Sequence, residues 1–189
     1  DGSGGVAEYF RVDGSSELTL FSKQTSHLDN VRANFGDVSD FRIYHDGSNS
    51  YLQNHTGDLY IDNNNDDKSI IFRTDDGSGG VQTFLKLDGA NNMVRVPTDG
   101  VKLTLGADSD LQVYHDGSNN YIRANTSNQD LHFLVNDGGS TLTAMKIDAS
   151  ETARVQFQND NQVVAIGASD DLQFYHDATN SYMLNQTGD

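Results

Sequence analysis

The sequence predicts an all-β protein built as a repeat array, and three observations carry that reading. Turn-forming residues punctuate the chain about every ten positions, apolar residues alternate with polar ones between those turns, and long strings recur in register. "YHDGSNSY" from Tyr44 returns as "YHDGSNNY" from Tyr114 and as "YHDATNSY" from Tyr175. The histidines of these strings stand 70 and then 61 residues apart.

Other landmarks keep phase with them. "DGSGGVAEYFRVDG" from Asp1 matches "DGSGGVQTFLKLDG" from Asp76 and, more loosely, "DGGSTLTAMKIDAS" from Asp137. "LTLGADSDLQVYHD" from Leu103 matches "VAIGASDDLQFYHD" from Val164, with "FGDVSDFRIYHD" from Phe35 as a weaker relative. The closing "NSYMLNQTGD" repeats "NSYLQNHTGD" from Asn49. The expected organisation is the end of one repeat over 1–39, a complete repeat over 40–109, a shorter one over 110–170 and the start of another over 171–189. Such a chain reads as a stretch of a longer array.

Within one repeat the elements follow in order. "DFRIYHD" is a strand closed by "GSNS", then "YLQN" by "HTGD", "LYIDN" by "NNDDK" and "SIIFRT" by "DDGSGG". "VQTFLKLDG", "NMVRVP" and "VKLTLGA" complete the set, with Pro97 at a strand end where a missing N–H costs little. Alternation puts Val81, Thr83, Leu85 and Leu87 on one face, and Val101, Leu103 and Leu105 on another. No window has the 3.6-residue period of an amphipathic helix.

Composition limits what such strands can do alone. Leu, Ile, Val and Phe make up roughly 23% of the chain, little above the level at which disorder prevails, and mean hydropathy is −0.60. Either the fold is thin and elongated or another chain supplies part of its core. Of 28 acids 25 are Asp, which favours turns over helix surfaces. A net charge of −16 argues against nucleic acid and anionic membranes as partners. Cysteine is absent, which excludes disulfides and thiolate sites. No apolar run reaches the length of a membrane helix.

The YHD motif has a catalytic and an architectural reading. His45 and Asp46 are adjacent on a strand and point to opposite faces, as do His115 with Asp116 and His176 with Asp177. A general-base pair needs both groups within hydrogen-bond reach, so architecture is favoured. Asp46, Asp116 and Asp177 are placed to cap a turn, with Asn49, Asn119 and Asn180 three residues on. Because Ala178 replaces glycine in the third copy, that turn position is expected to need no positive φ, with the asparagine supplying it. Tyr44, Tyr114 and Tyr175 precede the turn, and Tyr51, Tyr121 and Tyr182 restart the chain after it.

Each histidine also ends an apolar stripe: Phe41 and Ile43, Leu111 and Val113, Leu172 and Phe174. It is therefore expected to point inward and to bond a backbone group, a water or an ion. Were three chains to intertwine, His45, His115 and His176 would each meet their own copies, a ring able to hold a metal ion or an anion. The string "DNNNDD" from Asp62 resembles the start of a calcium loop but lacks the sixth-position glycine, and Arg73 stands in place of the bidentate glutamate. Asn54, Asn125 and Asn185 sit in N-x-S/T sequons at equivalent positions.

The strings "YHDGSNSYLQNHTGDLYI" and "LGADSDLQVYHDGSNNYI", with the linking "TFLKLDG", resemble repeats in long tail-fibre or fibre-like virion proteins of marine bacteriophages, the cyanophages in particular. The resemblance implies an elongated, homotrimeric β-fibre, located on a virion or extracellularly, that attaches to a host surface. Its partners would be copies of itself and a host-surface glycan. A single-chain β-solenoid is the alternative fold, although unequal repeats suit whole coils poorly. A secreted bacterial adhesin or matrix filament is the alternative function, followed by a polysaccharide depolymerase scaffold. A depolymerase would need a carboxylate pair ~5–10 Å apart in a groove, and Glu is limited to Glu8, Glu17 and Glu151.

Overall fold

The computed structural model describes residues 8–187, so the opening "DGSGGV" and the final Gly188-Asp189 lie outside the described residues. The fold is all-β: seventeen strands and no helix among the described residues. The chain divides into two units, 1–62 and 63–189.

In the first unit, β1 (Phe10–Asp13) and β2 (Leu18–Phe21) form a hairpin. Then β3 (Ala33–Phe35), β4 (Phe41–His45) and β5 (Ser50–Asn54) form an antiparallel sheet with β4 in the middle. The second unit begins with β6 (Ser69–Asp75), β7 (Val81–Asp88) and β8 (Met93–Arg95), a sheet centred on β7. It continues with β9 (Leu103–Leu105), β10 (Leu111–His115) and β11 (Asn120–Ala124), a copy of β3–β5. Next come β12 (Leu131–Asp137), β13 (Ser140–Asp148) and β14 (Arg154–Gln156), a copy of β6–β8. Finally β15 (Val164–Ile166), β16 (Leu172–His176) and β17 (Ser181–Asn185) repeat β3–β5 once more. Two sheet types thus alternate along the sequence, and none closes on itself.

Register shows which face of each sheet is apolar, because residues paired across antiparallel strands share a face. In β9–β11, Val113 pairs with Leu103 and Ile122, and Leu111 with Leu105. Ile43 pairs with Ala33 and Leu52, and Phe174 with Val164 and Met183, in the two other copies. These side chains are largely uncovered: Leu103 is 58% exposed, Ile122 64% and Met183 72%. No hydrophobic residue is buried among the described residues. The few buried residues are polar: Asp88, Gln112 and Asp148.

Three expectations need correction. First, β7 and β13 each carry an extra residue, Phe84 or Ala144, at a bulge opposite Phe72/Arg73 or Phe133/Leu134. The bulge inverts the alternation. Leu85 and Leu87 pair with Phe72 and Ile70, whereas Thr83 and Val81 pair with Arg73 and Asp75 on the other face. Val81, Thr83, Leu85 and Leu87 therefore do not share one face. The freed carbonyls find other donors: Thr98 Oγ1 donates to Thr83 O (3.0 Å), and Asn159 Nδ2 to Thr143 O (2.7 Å).

Second, Val101 is not in a strand with Leu103 and Leu105; it closes a turn, its N–H donating to Thr98 O at 3.3 Å. It still lines one open cavity of about 510 Å³ together with Leu103, Val113 and Ile122. Third, "LYIDN" forms no strand. The residues from Asp58 to Asp62 have no ladder partner among the described residues. The propensity is there, but no strand of its own chain pairs with it among the described residues.

The candidate functional site

The repeated hairpin at the end of β4, β10 and β16 is the most strongly recurring constellation. In the first copy Asp46 Oδ1 accepts the N–H groups of Ser48 (2.9 Å) and Asn49 (2.8 Å), and Asp46 N–H donates to Asn49 O (3.0 Å). Asp116 does the same with Ser118 and Asn119, and Asp177 with Thr179 and Asn180. The Asp side chain supplies the turn's acceptor, as short Asx side chains do. Tyr51 and Tyr182 donate their phenol O–H to Asp46 Oδ2 and Asp177 Oδ2, both at 2.9 Å.

These bonds favour the charged carboxylate. Donation from the Asn49 and Ser48 amides, then from the Tyr51 phenol, holds the Asp46 carboxyl below its ordinary value. Asp116 and Asp177 are lowered by the same donors in the same order. The bond to the carboxylate in turn raises the phenols of Tyr51, Tyr121 and Tyr182. In each copy these bonds close upon the turn itself. The carboxylates are spent on architecture.

Behind the turn the tyrosines stack across the strands. Tyr44 and Tyr51 lie with ring centroids 4.8 Å apart, Tyr114 and Tyr121 at 4.7 Å, Tyr175 and Tyr182 at 4.8 Å. Arg32 covers the Tyr44 ring at 4.8 Å and Lys102 the Tyr114 ring at 4.9 Å. The matching position before β15 is Val163, so the third copy has no cation there.

The turn conformation overturns one expectation. Gly47, Gly117 and Ala178 have φ of 98°, 97° and 77°, and none of the three asparagines is left-handed. The first central position demands positive φ in every copy because the two-residue hairpin must follow the strand twist there. Ala178 accepts a conformation that costs an L-residue roughly 1–2 kcal/mol. Ala178→Gly is accordingly expected to stabilise the protein by about 0.5–1 kcal/mol, after glycine's greater unfolded-state entropy is subtracted. Gly47→Ala, whose Cβ would also meet Asp29 Oδ2 at 3.3 Å, is expected to destabilise it. Thermal denaturation of the two variants checks the pair; shifts of the same sign would contradict the account.

His45, His115 and His176, expected to point inward, are instead exposed in the single chain. Each Nδ1 shares a hydrogen bond with the side chain directly across the ladder: Ser50 Oγ (3.1 Å), Asn120 Oδ1 (3.1 Å) and Ser181 Oγ (3.2 Å). A side chain thus takes the bond expected to go to a backbone group, a water or an ion, because His and Ser or Asn are paired residues at the last rung. Among the described residues of one chain no three histidines or carboxylates converge as a metal site would require. Asn54 uses its side-chain amide to donate to Thr56 O (3.0 Å) and Gly57 O (2.8 Å). The three sequons are not all equivalent as expected: the register aligns Asn54 and Asn185 with Ala124, and Asn125 lies one residue on.

Neither a family model, nor a curated protein, nor a solved structure matches the chain. Its own residues carry the reading.

A second recurring cluster was missed in the sequence. Asp88, at the end of β7, receives Lys86 Nζ and Arg95 Nη1, both at 3.1 Å, and Asn91 Nδ2 at 3.1 Å. Asp148, at the end of β13, receives Lys146 Nζ at 2.9 Å and Ser150 Oγ at 2.8 Å, and Lys146 also reaches Asp130 at 2.9 Å. Asn91, then Lys86 and Arg95, hold the Asp88 carboxyl down at about 2 although burial opposes them. Lys146 and then Ser150 hold Asp148 at about 2. The signal was the recurring "RVD", "KLD" and "KID": a cation and an acid two apart on a strand share one face. Lysine here is bound by its acids, and its own value is raised, first by Asp148 and then by Asp130. It is a pin for the β-turn, with no free base to offer.

Proposed function

We propose that this chain is a length of fibre shaft from a phage virion, a homotrimer that serves attachment to a host surface and performs no catalysis. The observation that carries the proposal is the open apolar face on every three-stranded sheet beside the absence of any buried hydrophobic residue among the described residues. Val94, Leu103, Ile122 and Met183 are 75%, 58%, 64% and 72% exposed, apolar surface of the kind that obligate interfaces cover. A partner with the same repeats offers the same apolar faces in the same order.

Three copies suit these faces. Two three-stranded sheets packed face to face leave four open strand edges at each level, whereas three sheets around an axis bring neighbouring edges together and enclose the apolar side chains. His45, His115 and His176 end those faces, so each would meet its two copies at one level; an ion there is an optional addition to the fold. The polar, Asp-rich turns stay outside and keep a chain of charge −16 soluble at high density. The virion context is supported by the resemblance of the YHDGSN–Y–TGDLYI string.

Two measurements on the purified chain test the proposal together. Electron microscopy is expected to show rods of uniform width, and incubation with capsular and lipopolysaccharide glycans is expected to release no fragments. Compact globules, or cleavage abolished by replacing one turn aspartate, would overturn it.

A further inference from the structure

The two complete repeats differ by nine residues, and the structure locates the difference. Ile70 and Leu131 hold equivalent rungs, opposite Leu87 and Ile147, while Asn54 and Ala124 end equivalent strands. From Asn54 to Ile70 is sixteen residues and from Ala124 to Leu131 only seven, so the excess falls between Thr56 and Ser69. The shorter repeat completes both sheets without it. The extra segment is therefore not needed to fold its own chain.

What it carries is strand-forming sequence outside any sheet. Asp58-Leu59-Tyr60-Ile61-Asp62 belongs to no strand, and its main-chain N–H and C=O groups have no partner among the described residues. Leu59, Tyr60 and Ile61 are 46%, 77% and 54% exposed. Three consecutive strand-forming side chains on an unpaired backbone are what sheet proteins normally avoid showing to water.

We propose that Asp58–Asp62 adds as a β-strand to an open sheet edge in a second copy of this chain. The proposal rests on the multimer reading above. Every three-stranded sheet has two such edges. Two of them, β8 and β14, carry Arg95 and Arg154, whose side chains pair with Asp88 and Asp148 yet stay 46% and 55% exposed, open to a further acid. The segment is bounded by Asp58 and Asp62, the opposite charge. Val94, 75% exposed at the centre of β8, offers an apolar contact beside Arg95. Main-chain pairing supplies the affinity in this kind of strand addition, and alternate side chains supply the register.

Hydrogen exchange read by mass spectrometry, at concentrations above and below assembly, tests this directly. The amides of Leu59, Tyr60 and Ile61 are expected to slow by about tenfold or more on assembly. Tyr60→Pro and Ile61→Pro give a second readout. Adjacent N–H groups point to opposite sides of a strand and proline removes one of them, so at least one variant should weaken assembly by about tenfold. Far-ultraviolet circular dichroism of both variants below the assembly concentration should match the parent chain. A multimer in which these amides exchange freely and both proline variants assemble normally would overturn this proposal and leave the multimer reading standing. A monomer at every concentration would overturn both. Protection already present in the monomer, or appearing only when a host glycan is added, would assign the segment another partner and overturn the proposal.

Discussion

Val113→Asp is expected to leave the chain unable to assemble. Val113 sits on the middle strand of its sheet, flanked across the ladder by Leu103 and Ile122, at the centre of an exposed apolar face. If that face is covered by other copies, the substitution forfeits about 1.5–3 kcal/mol of valine burial in each chain. It also places an unpaired carboxylate in an apolar contact, which costs several kcal/mol more. Because three copies would meet at one level, three like charges would be brought together. Ile43→Asp and Phe174→Asp should act alike, since they occupy the same rung in the other copies. The same charge at Ser118, an exposed turn position, should leave the mass in solution unchanged. Light scattering that found Val113→Asp fully assembled would mean that the apolar face is not an interface.

Acid is expected to dismantle the second sheet type. Asp88 and Asp148 titrate near 2 in the folded chain against an ordinary 3.8. Their folded values are depressed, so the folded state binds fewer protons than the unfolded state between these limits. The stability they contribute is complete above about pH 5 and drains away as pH falls through 4 toward 2. Asp88→Asn should lower the melting temperature at pH 7, because Lys86 and Arg95 lose their counter-charge. It should also flatten the acid limb, reducing the slope of stability against pH by about one proton per chain. Melting followed from pH 7 to 2 checks both effects; a variant with the parent's acid slope would remove Asp88 from the explanation.

Most of the strands were legible because the turns were. Gly, Asn and Asp clusters bounded "DFRIYH", "SIIFRT" and "VQTFLKLD" to within a residue or two of β4, β6 and β7. Face assignments were less secure wherever the period of two was broken. Nothing in "VQTFLKL" announces that Phe84 is an extra residue, and the bulge exchanges the faces of Val81 and Leu85. Pairing partners were also invisible: "LYI" has the same strand propensity as its neighbours, yet a strand exists only where an edge accepts it. Ala178 misled for a related reason, since an alanine in the sequence hid a backbone demand that the two glycine copies had displayed. The Asp88 and Asp148 clusters could have been found from the repeated cation–apolar–acid triplet, because strand geometry alone places its ends on one face. The cation over the tyrosine stack needed the register: Arg32 and Lys102 stand one residue beyond the rungs Ala33–Ile43 and Leu103–Val113, which sets them across from Tyr44 and Tyr114.

The central claim is that this chain's core lies between copies, and its mass in solution tests that most directly. Multi-angle light scattering across a dilution series from micromolar to nanomolar should give three times the chain mass of 20.7 kDa at the upper end. Folded structure, read by circular dichroism, should fall together with the mass on dilution. A folded species of single-chain mass at micromolar concentration would contradict the account.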